Sequence, residues 1–181
     1  MRFLRRWLSH SIRLGLALFL ALVLMQAPAF TADYVNALLQ VGSDARRDID
    51  QREAAARHYY NIPPGDDASL IAALKPHEPA NAATLALSLD RASSLIAARQ
   101  RILARPAVIQ PLAAIADAAR DPNGYKAAVW RTELATYTVH LDLTLAAIGY
   151  GIVGLMLGSL LGHAICLTFE PRAEARRFAK I

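Results

Sequence analysis

Apolar residues form two long uninterrupted runs, one near each end of the chain. Residues 14–30 contain no charged side chain, and residues 143–169 contain no Asp, Glu, Lys or Arg. As helices rising about 1.5 Å per residue, the first run extends roughly 26 Å, close to the ~30 Å hydrocarbon core of a bilayer, and the second exceeds it. The pattern predicts transmembrane helices over 14–30 and 143–169, with a domain over 31–142 between them.

Within that domain, apolar residues recur at spacings of 3, 4 and 7, which is typical of helices that bury one face. One heptad-like stripe follows residues 32–60 and comprises Val35, Leu38, Gly42, Ala45, Ile49, Ala56 and Tyr59. A second follows residues 81–104 and comprises Leu85, Leu89, Ala92, Ile96 and Leu103, with Leu95 and Ile102 beside it. Because two prolines and a glycine at 61–65 end the first helix, we expect the two to pair as an antiparallel hairpin.

Shorter elements follow from turn and capping residues. Asp66 or Asp67 is expected to cap a short helix over 67–75, and Pro106 to start a helix that ends near Ala119. The run Asp121-Pro122-Asn123-Gly124 predicts a turn before a last helical stretch over 125–138. The predicted fold class is an all-α membrane protein in which two transmembrane helices flank an extracytoplasmic antiparallel helical hairpin or bundle.

The distribution of charge argues against nucleic acid as a partner. The chain carries a net charge of +5, but residues 1–13 hold four arginines and no acid, and residues 170–181 hold four basic and two acidic residues. The stretch 14–169 is therefore slightly negative, whereas a nucleic-acid binder places its basic patch on the folded domain. Basic tails beside membrane spans face the cytoplasm. We expect cytoplasmic termini, a periplasmic domain and the lipid bilayer of a bacterial inner membrane as partner.

The first apolar run has a second interpretation as a signal peptide. A basic start, an apolar core and Ala27-Pro28-Ala29 resemble a secretory leader with its cleavage site. Two features favour an uncleaved anchor. The run is longer than the roughly 7–15 residues of a leader core. It also passes directly into helix-like sequence, in which Thr31 is available as a helix cap.

Small residues at every fourth position mark the second span. Gly154, Gly158 and Gly162, followed by Cys166, lie on one helical face and are expected to let another helix backbone approach closely. The partner of this face is either the first span, through Gly15, Ala17 and Ala21, or a second copy of the chain or another membrane protein.

The loop that joins the two long helices of the domain carries residues suited to protein contacts. His58, Tyr59 and Tyr60 are candidates for such a contact, because exposed tyrosines are good interface residues. The histidines and carboxylates nearby match no spacing of metal ligands. The sequence contains no glycine-rich phosphate loop, CxxC, HExxH or GxSxG motif. No catalytic residue, metal or cofactor is therefore predicted.

These observations favour a non-enzymatic accessory or scaffold protein of the membrane that acts through protein contacts. Two alternatives stay open. The layout of span, helical domain and span is also that of a sensor input module, whose output domain would be a separate protein. The second alternative is a protein that binds a metal or another ligand through its helical tip.

The chain resembles the bacterial domain-of-unknown-function family 2937, a group of small membrane proteins. The likeness rests on the basic start, the segment Gln26-Ala27-Pro28-Ala29-Phe30 and the helix over 34–57 with Asp44-Ala45-Arg46-Arg47 and Arg57-His58. It implies a membrane-anchored protein and supplies no catalytic residues. The glycine-rich tip of the family is replaced here by residues 59–67 with their two prolines.

Overall fold

The computed structural model describes residues 2–140 and 143–168. This part of the chain is all-helical and contains no strand. Its helices are α1 (Arg2–Tyr60), α2 (Asp67–Leu74), α3 (Pro79–Leu103), α4 (Gln110–Ala119), α5 (Tyr125–Thr136) and α6 (Leu145–Thr168). They form two compact units, one made of residues up to Phe30 and from Thr138 onward, and the other of residues 31–137.

The first helix is continuous through a proline. Pro28 lies inside α1, where its missing N–H removes one backbone hydrogen bond without ending the helix. The expectation that Thr31 caps a new helix is therefore wrong, since Thr31 is a buried residue in the interior of α1.

Both apolar runs lie in helices that are long and apolar enough to cross a membrane. In the most apolar stretches of α1 and α6, 28% and 33% of the residues are buried within the chain. Helix α6 agrees closely with the predicted span over 143–169. Phe169 and the predicted tail over 170–181 lie outside the described residues.

The second unit has a core built by the second half of α1 with α2 and α3. Its fully buried large side chains are Tyr34, Leu38, Ile49, Leu70, Leu74, Leu95 and Ile102. The two predicted stripes meet where Gly42 lies against α3, since a Cβ placed on Gly42 would be 3.0 Å from the side chain of Ile96. Tyr59 and Leu103 depart from the prediction, because both are exposed at the ends of their helices.

Two short helices complete this unit. Helix α4 begins at Gln110 rather than Pro106, whose carbonyl accepts from the backbone N–H groups of Ile109 and Gln110 in a preceding turn. The predicted turn before α5 is present, with Gly124 at a positive φ of 75°. The α5 residue Trp130 packs edge-on against Tyr34 of α1, with 5.0 Å between the ring centroids.

Candidate functional site

The glycine face of α6, formed by Gly154, Gly158 and Gly162, lies directly against the first apolar segment of α1. A Cβ on Gly154 would be 2.7 Å from Cα of Ala21, and one on Gly158 would be 2.5 Å from Cα of Ala17. Real Cβ atoms do not approach backbone atoms so closely, so each glycine is required for this separation of the helices.

The same register continues towards the C-terminal end of α6. A Cβ on Gly162 would be 2.9 Å from Cα of Arg13. Residues later in α6 thus pair with residues earlier in α1, which makes the two segments antiparallel. Small residues at every fourth position on both helices allow such contact, as in other membrane helix pairs.

The remaining predicted members of this face differ in their surroundings. Cys166 is buried, in step with the three glycines. Gly15 does not take part, since a Cβ there would meet nothing within 4 Å, whereas Ala17 and Ala21 are buried. The residue after Gly162, His163, is exposed.

The tip of the second unit, formed by residues 57–67 and 77–81, contains an aromatic and carboxylate cluster. Tyr60 stacks on His77 with 5.0 Å between centroids, and its hydroxyl donates a short hydrogen bond to the Glu78 carboxylate. Asn81 donates to the other oxygen of Glu78 at 2.7 Å. The bond to Glu78 raises the pKa of Tyr60 to about 12. In turn, the bonds from Tyr60 and Asn81 lower the pKa of Glu78.

Arg57 holds the loop of the tip in shape. Its guanidinium donates to the carbonyl oxygens of Pro63 and Gly65 at 2.6 and 2.9 Å. The Asp66 side chain caps α2 as predicted, accepting from the backbone N–H of Ser69 at 2.9 Å. This bond lowers the pKa of Asp66. These bonds satisfy two backbone oxygens of the loop and the start of α2.

A charged network ties α1 to α2 below the tip. Arg46 donates two hydrogen bonds to the Asp67 carboxylate, at 2.6 and 3.1 Å, and also pairs with Asp50 at 2.9 Å. The bond from Arg46 lowers the pKa of Asp67. Glu53 is buried beside this pair, and burial together with the charge of Asp67 raises its pKa.

The three predicted contact residues of the tip differ in exposure. Tyr59 has 78% of its surface exposed, and its ring meets Tyr60 edge-on at 4.9 Å. His58 is exposed as well, whereas Tyr60 is half-buried by its contacts with His77 and Glu78. Within the described residues, no three His, Cys, Asp or Glu side chains are grouped so that they could hold a metal ion.

The model of a family of proteins of unknown function, DUF2937, matches residues 8–174. The chain belongs to this family. No curated protein and no solved structure matches it.

The structure shows what two of the charged residues that carried the resemblance to the DUF2937 family do. Arg46 and Arg57 serve as ties, the first between α1 and α2 and the second across the loop of the tip. At least one residue that carries the resemblance, Arg57, therefore also helps to fix the loop of the tip. The family description itself assigns no activity.

Proposed function

We propose that the protein is an accessory or scaffold protein of the bacterial inner membrane that contacts another protein through the tip of its helical domain. In this proposal both termini are cytoplasmic, and residues 31–142 form a periplasmic domain that is an antiparallel helical hairpin or bundle. The basic tails support this orientation through the positive-inside rule.

The packing of the two apolar helices supports an uncleaved double anchor. The glycine face of α6 is covered by Ala17 and Ala21 of the same chain. Cleavage after Ala29 would remove this cover and leave a glycine groove facing lipid. Antiparallel contact also agrees with two termini on one side of the membrane. Since the glycine face is covered within the chain, the proposal places the contact with another protein on a different surface.

The observation that carries the proposal is the exposure of Tyr59 beside residues that are held by hydrogen bonds. Its ring protrudes, while its neighbour Tyr60 is fixed by His77 and Glu78 and the adjoining loop is bonded to Arg57. A tyrosine offered on a fixed support loses little conformational entropy on binding, which is the usual property of an interface anchor.

Photocrosslinking in native membranes tests this contact. A benzophenone amino acid at position 59 is expected to give a crosslinked product that mass spectrometry identifies as this chain joined to a different protein. The same amino acid at position 87 is the matched control, because Leu87 is also exposed, at 61%, but lies on α3. It is expected to give no such product.

Two results would refute the proposed contact. One is the absence of any product at position 59 when the protein is present at its normal level. The other is a product formed equally at positions 59 and 87, which would indicate random collision. A product containing two copies of this chain would replace the proposal with self-association.

A further inference from the structure

A basic groove lies between α3, α4 and α5, within the unit of residues 31–137. Its volume is about 590 Å³, and four cationic residues line it, namely Arg101, Arg105, Arg120 and Lys126. Asp117 is the one acidic residue of its lining, so the groove carries a charge of +3. The whole unit is neutral, since it contains twelve basic and twelve acidic residues. Positive charge is therefore concentrated at this place.

Asp117 forms ion pairs with two of these cationic residues. Arg101 pairs with one of its oxygens at 2.9 Å, and the Lys126 ammonium lies 3.2 Å from the other. Lys126 is buried and also donates to the backbone carbonyl of Arg120 at 3.0 Å. A buried ammonium is costly unless it is paired, so these bonds position Lys126 and the end of α4 in the wall of the groove.

The other two cationic residues of the groove, Arg105 and Arg120, differ from Arg101 and Lys126 in their contacts. Within the described part of the chain, the guanidinium groups of Arg105 and Arg120 have no hydrogen-bond or ion-pair partner. They come from different helices, Arg105 just after α3 and Arg120 just after α4, yet they line the same groove. Both side chains are exposed at the groove, so their guanidinium donors are available to an anion that enters it.

The remaining lining of the groove is apolar. It includes Ile102 of α3 and Ala113 and Ala116 of α4. A ligand that suits the groove thus combines a multiply charged anionic group with a small nonpolar or weakly polar body. Phosphate monoesters have this character, because they carry about −1.5 to −2 charges at neutral pH. The planar fork of donors in arginine also matches phosphate oxygens in pairs.

We propose that this groove binds a phosphate monoester, with Arg105 and Arg120 as the residues that bind its phosphate group. Two sources supply this chemistry, a soluble phosphate ester and the headgroup of phosphatidic acid, which is itself glycerol 3-phosphate. Neither the tip nor the glycine face takes part, so this site stands apart from the protein contact proposed above.

The test uses the full chain in neutral detergent and calorimetric titration with glycerol 3-phosphate. The variant R105Q/R120Q is expected to bind at least about tenfold more weakly, because it removes the charge-assisted hydrogen bonds of both guanidinium groups to the phosphate. The variant R105K/R120K, which keeps the charge and loses the donor fork, is expected to lie in between. The matched control R47Q/R131Q removes two exposed arginines outside the groove and is expected to bind as the wild type does.

A second arm identifies the source of the phosphate. The same proteins are placed in nanodiscs of phosphatidylcholine with or without phosphatidic acid, and retained lipid is detected by native mass spectrometry. Retention of phosphatidic acid without binding of glycerol 3-phosphate, lost in R105Q/R120Q, assigns the site to lipid. The proposal is overturned if neither probe binds, or if R47Q/R131Q weakens binding as much as the groove variant.

Discussion

At the residue scale, the paired bond between Arg46 and Asp67 is the contact that ties α1 to α2. Both side chains are roughly 40% exposed, at 38% and 40%, so solvent screens the pair and limits its contribution to stability. The bidentate geometry nevertheless favours it over the single surface pair of Arg52 and Asp48, whose side chains are 51% and 56% exposed.

We expect D67N to lower the free energy of unfolding by about 1 kcal/mol at neutral pH, and D48N to lower it by less than about 0.5 kcal/mol. Thermal or denaturant unfolding in detergent, followed by circular dichroism, measures both. Because Arg46 lowers the pKa of Asp67 in the folded protein, its stabilisation is complete above the ordinary value of 3.8. The difference between wild type and D67N should shrink only as the pH falls below about 3.8. Equal effects of D67N and D48N would contradict the account.

At the element scale, the close contact of α1 and α6 depends on glycine at defined positions. A Cβ on Gly158 would meet Cα of Ala17 at 2.5 Å, whereas a Cβ on Gly149 would meet nothing within 4 Å. Since the atoms facing Gly158 are backbone atoms, the helices themselves must move to make room for a side chain.

We expect G158A to widen the separation of the two helices by roughly 1–2 Å, within the 8–10 Å range that contact side chains determine. Spin labels at the exposed positions 19 and 157, in a C166A background, allow the distance to be measured by pulsed electron resonance. The control G149A should leave the distance distribution unchanged. The packing would be refuted if G158A behaved like G149A.

The long helices could be predicted from the sequence, but some helix starts and the basic groove could not. Periodicity and uninterrupted apolarity predicted the spans and the long helices, because those signals are summed over many residues. The start of α4 and the cap at Thr31 were mispredicted. Helix α4 begins four residues after Pro106, and Thr31 caps no helix because α1 continues through Pro28. The basic groove was missed because Arg105 follows α3, Arg120 follows α4 and Lys126 lies in α5, with no shared spacing in the sequence.

The contacts of the tip were foreseen only in part. The sequence singled out His58, Tyr59 and Tyr60 as a group, but the structure gives them different roles. Tyr60 is fixed by Glu78, a residue 18 positions away, and Tyr59 alone of the two tyrosines remains largely exposed. No local sequence pattern determines which of two adjacent tyrosines forms a hydrogen bond with a carboxylate distant in the sequence.

At the scale of the whole molecule, the chain divides into an apolar part and a charge-balanced part. Residues 14–30 and 145–166 contain no Asp, Glu, Lys or Arg, whereas residues 31–137 contain twelve acidic and twelve basic side chains. The charged side chains of residues 31–137 favour an aqueous environment, whereas the two uncharged apolar helices favour the lipid bilayer. This division agrees with the proposed double anchor, in which the charged unit lies on one side of the membrane and both basic tails lie on the other.

Accessibility of single cysteines to a membrane-impermeant maleimide tests this claim most directly. In a C166A background, cysteines are introduced at positions 9, 59 and 178, and spheroplasts are labelled before and after lysis. We expect labelling at position 59 in intact spheroplasts, and at positions 9 and 178 only after lysis. Protection at position 59, labelling of either tail without lysis, or loss of position 9 from the mature chain would contradict the double anchor.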